Sequence, residues 1–325
     1  MGSDDPETVL SIPLKKTDLV ELYLPLRKLV ASKYSESDAQ KVESVLETLN
    51  KCRRDMVERR GDLSLPMQRD CLIHYFKCLS MVEPLFSSLS SDADPIIFVW
   101  YDALNPEHEN GVSSQRNGIQ LERAAVLFNL GAICSQIAAS CDRTTALGRH
   151  LAMEAFKVAA NFFFQLWKVF AKDVVSATLD LTLLFVEFLH VLFAAQASEL
   201  ELQQQLNNND ASYALQQHRC ALSFSSVQSL YLRAYLLILT VSGAAARKHV
   251  YSFDQTWVTH LHQKLTFFQA EPPEKSEPLN LYESLRNYFV LKYSESVAKR
   301  VEGLLEMLHK LRNEMLRDDL LGTID

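Results

Sequence analysis

Residues 119–140 read IQLERAAVLFNLGAICSQIAAS, and the fold turns on how this stretch is read. Its apolar residues fall on every side of a 3.6-residue period, and a helix of that kind belongs inside a core. Gly131, Ala132, Ala138 and Ala139 are small enough to let neighbouring helices come close. Enclosing such a helix takes a large chain. This one has 325 residues, 48% of them hydrophobic, with 9 glycines and 10 prolines, which suits a large helical core.

Downstream, LAMEAFKVAANFFFQLW (151–167) alternates alanine with bulky aromatics. Such large-with-small pairing is that of helical hairpins stacked like tetratricopeptide units. Phe162, Phe163, Phe164 and Trp167 are read as core packing. TLDLTLLFVEFLHVLFAAQA (178–197) is interrupted by Asp180, Glu187 and His190. AYLLILTVSGAAA (234–246) is short of the roughly 18 residues a membrane span needs. Both are expected to be buried helices. QQQLNNND (203–210) is a break, with further helix from Ala211 to about Ala270.

Upstream, Leu22, Leu26, Leu29 and Val30 keep helical spacing, and Val42, Val45, Leu46 and Leu49 repeat it on a second helix. A third is expected over Arg69–Val82. Thr8–Lys16 and the β-branched, aromatic run Pro95–Leu104 are predicted as strands of a small N-terminal sheet.

The formal net charge of −7 argues against a nucleic-acid partner, because phosphate binding needs a cationic surface. Lys51, Arg53, Arg54, Arg59 and Arg60 are interleaved with Asp55 and Glu58 and read as a solvated helix face. Cys52, Cys71, Cys78, Cys134, Cys141 and Cys220 form no C-x-x-C pair, as expected of reduced, mostly buried thiols in a cytosolic protein. The acidic start MGSDDPETV lacks the apolar core of a secretory signal.

Nothing points to catalysis, a cofactor or a metal. Phosphate-binding glycine loops, H-E-x-x-H and G-x-S-x-G are absent. His260 and His262 are two apart and point to different helix faces, and His249 has no ligand spacing either. Asp180, Glu187 and His190, spaced by seven and three, could share one helix face; contacts with neighbouring helices or solvent are the plainer account.

The chain repeats itself. Glu21–Met56 aligns without a gap on Asn280–Met315 with 18 of 36 positions identical, including Tyr23/Tyr282, Arg27/Arg286 and Glu43/Glu302. EPPEKSEP (271–278) is the linker before the second copy, which lacks a counterpart of VLSIPL (9–14). The expected organisation is a domain over 9–270, a linker over 271–278, and over 279–325 a partial copy of the domain's opening helical pair.

SIPLKKTDLVELYLPLRKLVASKYSE, FVWYDAL, IQLERAAVLFNLGAICSQIA, CDRTTALGRHLAMEAFKVAANFF and FAAQASE, in this order, resemble the Bro-type domain of ALIX and the vacuolar-sorting Bro proteins, nearest in wording to plant members. The resemblance implies a mainly α fold: a curved, tetratricopeptide-like solenoid with a small N-terminal β-sheet, here without its last helices. It implies a non-enzymatic adaptor, cytoplasmic and recruited to endosomes, that binds the C-terminal amphipathic helix of an ESCRT-III subunit for multivesicular-body sorting. An endosomal membrane surface is a further implied partner. The alternative is a rearranged paralogue with weakened binding that self-associates through the repeated helical pair.

The family's groove uses a Phe, an Ile and a Leu, rimmed by charge. On that pattern Glu201 stands at the Phe, Leu206 at the Leu, and His150 at a rim lysine, while the Ile falls in a stretch this sequence lacks. Leu206 and His150 are the expected partner-binding residues. An imidazole is only partly charged near neutral pH, and Glu201 is unfavourable in an apolar groove.

Overall fold

A computed structural model describes residues 8–58, 61–86, 96–106, 112–113, 118–170, 178–207, 213–247 and 255–269. The expected linker and second copy lie outside these residues. In chain order the elements are α1 (Tyr23–Lys33), α2 (Glu36–Glu58), α3 (Leu65–Phe86), β1 (Val99–Trp100), β2 (Val112–Ser113), α4 (Gly118–Ser140), α5 (Ala146–Gln165), α6 (Leu183–Asn207), α7 (Tyr213–Arg247) and α8 (Gln255–Gln269). A π turn, Leu166–Phe170, continues α5, and a 3₁₀ turn, Leu179–Leu181, precedes α6. The fold is mainly helical.

From α4 onward each helix packs on the next in sequence, α4 on α5, α5 on α6, α6 on α7 and α7 on α8. As its pattern requires, α4 is enclosed: sixteen of its residues are buried, from Ile119 to Ala138. Its Phe128 meets Phe163 of α5 edge-on at 5.4 Å, and Phe163 stacks on Phe193 of α6 at 5.6 Å. Phe156 also stacks on Phe193, at 5.9 Å. Thr145 caps α5, its Oγ1 accepting from the Gly148 N–H at 3.0 Å. Among the described residues, three helical stretches are long and apolar enough to cross a membrane, Gly118–Ser140, Leu183–Gln205 and Ser223–Ser242. The first two are mostly buried in the protein. The third shares residues 234–242 with the run expected to be a buried helix and reaches back to Ser223, and only 33% of it is buried, because α7 leaves much of its apolar surface uncovered among the described residues.

The expected sheet reduces, among the described residues, to the two-residue antiparallel pair β1–β2 and one bridge from Thr17 to Trp100. Thr8–Lys16 forms no ladder, and the reason is visible. Its backbone groups are taken by side chains: Leu10 N–H donates to Gln196 Oε1 (2.6 Å), Ile12 N–H to Ser135 Oγ (3.1 Å) and Lys15 N–H to Asn129 Oδ1 (2.7 Å). The carbonyls of Leu10, Ile12 and Lys15 accept from Gln196, Gln136 and Asn129 in return. This segment straps across α4 and α6, and polar residues inside those helices satisfy it.

Among the described residues, three buried charge clusters tie separate segments together. Lys15 Nζ donates to Asp180 Oδ2 at 2.5 Å, and that oxygen also accepts from the Ala103 N–H. Burial pushes the Asp180 carboxyl up, with Lys15 pulling it back. Glu199 accepts from Lys264 at 2.7 Å and from the Tyr231 hydroxyl, joining α6, α8 and α7. Glu122 accepts from the Tyr75 hydroxyl at 2.7 Å and Trp100 Nε1 at 2.6 Å, with Arg53 Nε 2.8 Å away. Arg53 therefore does not belong to a solvated face. It is fully buried because Glu122 supplies its counter-charge, while Lys51 and Arg54 remain exposed. Arg59 and Arg60 lie outside the described residues.

His260 on α8 has a buried Nε2 with no hydrogen-bond partner among the described residues, and burial, aided by Lys264, pushes its pKa down to about 4. The unfolded chain titrates near the ordinary value of about 6.5. Between these values the unfolded state holds a proton that the folded state refuses, so stability falls as pH drops below about 6.5. Melting temperatures should decline from pH 7 to pH 5, and His260→Gln should flatten part of that decline. Parallel melts of parent and variant would contradict this.

Candidate functional site

Helix α5 carries two apolar stripes. Ala152, Met153, Phe156, Ala159, Ala160 and Phe163 face the core. Leu147, Leu151 and Val158 keep helical spacing on the outer side and are 68, 51 and 43% exposed. The core has no use for the second stripe. Beside it, α6 is buried along most of its length, and over Glu187–Glu201 the residues it leaves partly open are Glu187, His190, Ala194, Ser198 and Glu201. These fall three or four apart, a single line down the helix. The centre of the line is small, and each end holds an ion pair. Glu187 is paired with Arg233 of α7, and Glu201 lies 3.7 Å from Lys157 of α5.

The expected residues map onto this region. His150 is exposed in the second turn of α5, two turns before Lys157 on the same side. Glu201 is exposed, with its carboxylate toward Lys157. Leu206 lies in the last turn of α6, and its side chain is outside the described ones. Because α5 and α6 run antiparallel, the Lys157–Glu201 contact carries His150 and Leu206 toward the same end of the hairpin. The α5 stripe was legible in principle: Leu147, Leu151 and Val158 are apolar positions out of phase with the core face.

Other expectations separate. Asp180 precedes α6 and is buried on Lys15, Glu187 pairs with Arg233, and His190 Nδ1 lies 3.0 Å from the Ala160 carbonyl. The three do not form one face. His260 is half-buried, His262 sits 5.7 Å from the Tyr235 ring, and His249 lies outside the described residues. Among the described residues no three His, Cys, Asp or Glu side chains are grouped to hold a metal. Cys78 and Cys134 are buried, Cys52 and Cys141 half-buried and Cys71 exposed, all as free thiols; burial pushes Cys134 up to about 11. A cavity of about 450 Å³ lies between the N-terminal strap and the α2–α3 corner, lined by Leu14, Met56, Leu63, Leu72 and Trp100 among others. Two of its polar neighbours are already engaged, Asn129 by the Lys15 N–H and Gln68 by the Leu63 carbonyl.

Comparison with known proteins places this architecture. The BRO1-like domain family matches residues 9–273. The chain belongs to the BRO1-like domain family. It is 37% identical over 269 residues to the vacuolar-sorting protein BRO1 of Arabidopsis thaliana, a match covering 81% of this chain and 30% of that protein. The chain thus spans about 30% of the length of the curated relative it matches. A structure described as the basis for endosomal targeting by the Bro1 domain superposes with a TM-score of 0.61 at 21% identity, covering 81% of this chain and 68% of the other. The ALIX BRO1–CHMP4C complex superposes at 0.51 and 21% identity, covering 83% of this chain and 94% of the other. At these identities the structural likeness establishes the fold.

Proposed function

We propose that the chain is a non-enzymatic adaptor whose α5–α6 face binds the C-terminal amphipathic helix of an ESCRT-III subunit in endosomal sorting. The observation that carries this reading is the second apolar stripe, Leu147, Leu151 and Val158, held in solvent beside the small centre of the α6 line. Helix-in-groove recognition uses apolar anchors at such spacings. His150 and Leu206, toward the same end of the α5–α6 hairpin, are the proposed partner-binding residues. Membership of the BRO1-like family, the kinship with a vacuolar-sorting protein and the likeness to a BRO1–CHMP4C complex support the partner class and an endosomal setting. The sequential packing of α4 to α8 supports a curved, tetratricopeptide-like solenoid, and β1–β2 with the Thr17 bridge supports a small N-terminal sheet.

Fluorescence anisotropy of the full chain with a labelled ESCRT-III tail-helix peptide tests the reading. Saturable binding is expected, and Leu151→Asp should weaken it at least tenfold, since a buried leucine is worth about 1.5–3 kcal/mol. Absence of saturable binding at high micromolar protein, with the ALIX BRO1 domain binding normally, would remove the proposal.

The repeated segment favours a second reading, a rearranged paralogue that self-associates. Its organisation is a domain over 9–270, a linker over 271–278 and a partial second copy over 279–325. An isolated helical pair cannot bury its own apolar face. Light scattering of the full chain should then show a concentration-dependent mass; a monomer throughout argues against it.

A further inference from the structure

Three half-exposed charges meet where α5 borders α6. Lys157 Nζ lies 3.3 Å from Glu154 Oε1 and 3.7 Å from Glu201 Oε2, and the three side chains are 43, 51 and 49% exposed. One ammonium thus serves two carboxylates. Glu154 also sits inside the apolar stripe, three residues after Leu151 and four before Val158. A helix laid along that stripe cannot avoid it.

From this we infer that the α5–α6 face selects an amphipathic helix whose polar flank is basic, with Glu154 and Glu201 as the residues that read the charge. The inference rests on that face being the docking site. A lysine or arginine on the flank completes the pairing of the second carboxylate. A glutamate there puts a third negative charge around one ammonium. Exposed ion pairs are individually weak, so the effect is on selectivity more than on affinity, and salt erases it. One unit charge at contact distance in water corresponds to about a fivefold difference in affinity.

Two synthetic helices with the same leucine face, one flanked by lysines and one by glutamates, decide the matter by anisotropy against the full chain. At low salt the lysine-flanked helix should bind about fivefold tighter. That preference should fade at about 0.5 M salt, where screening is short-ranged. The double variant Glu154→Lys, Glu201→Lys should reverse it; both sites are exposed, and an unchanged circular dichroism melt confirms that the fold is kept. Equal binding of the two peptides, or a preference for the glutamate-flanked one, overturns the inference and leaves the docking reading standing. Binding of neither overturns both. Self-association abolished by the double variant would assign the face to a second copy of this chain and overturn the inference as well.

Discussion

Glu122→Ala should leave the protein largely unfolded at temperatures where the parent is native. The Glu122 carboxylate is fully buried and accepts from Tyr75 and Trp100, with the Arg53 guanidinium against it. Arg53 Nη2 also donates to Thr17 Oγ1 and to the Asp18 carbonyl, but Nη1 has no hydrogen-bond partner among the described residues. Its positive charge is therefore balanced chiefly by Glu122. Removing one member of a buried pair strands the other, at a cost of about 3–5 kcal/mol. A domain commonly holds about 5–15 kcal/mol in total. The loss corresponds to a fall in melting temperature of roughly ten degrees or more. Glu122→Gln keeps the shape and one acceptor oxygen without the charge, and should fall between the two. A melt of Glu122→Ala within a degree or two of the parent would show that the cluster is dispensable.

Gly131→Leu should be comparably damaging. A Cβ at this position would stand 2.6–2.9 Å from three carbons of the Phe163 ring. A flexible side chain could swing aside, but Phe163 is fully buried between Phe128 and Phe193. The close approach of α4 and α5 depends on the missing side chain. Overpacking usually costs about 1–3 kcal/mol, and a leucine with no space to enter exceeds that range. Gly131→Ala is the informative control, because alanine favours an isolated helix by about 1 kcal/mol over glycine. Destabilisation by alanine, against propensity, identifies the ring contact as the cause. If Gly131→Ala stabilises, the ring yields and the close approach does not depend on glycine.

Much of the architecture was legible because helix periodicity is a local property. The enclosed α4 followed from its all-round apolar pattern, and α1, α2, α3 and α5 from their spacing. What depends on distant partners is not written in local periodicity. Glu122, Asn129 and Ser135 look like ordinary interruptions of an apolar helix, yet each receives hydrogen bonds from residues far along the chain. Arg53 looked like part of a charged surface for the same reason: its counter-charge sits on another helix. Thr8–Lys16 has the composition of a strand, but composition does not say whether a neighbouring strand or a row of side-chain amides will take its backbone. For the candidate site, the resemblance suggests His150, Glu201 and Leu206, while the outer stripe of α5, legible by its phase, lies beside a core stripe of similar character.

The N-terminal strap sets an order of assembly. Leu10 is held by Gln196, 186 residues further along the chain. At about 5–20 residues per second, the ribosome makes that glutamine roughly 10–40 s after the leucine it will hold. The first described residues to leave the exit tunnel thus wait for a partner on α6 before they find their resting place. In that interval their amides and carbonyls face water, or whichever chaperone attends the nascent chain.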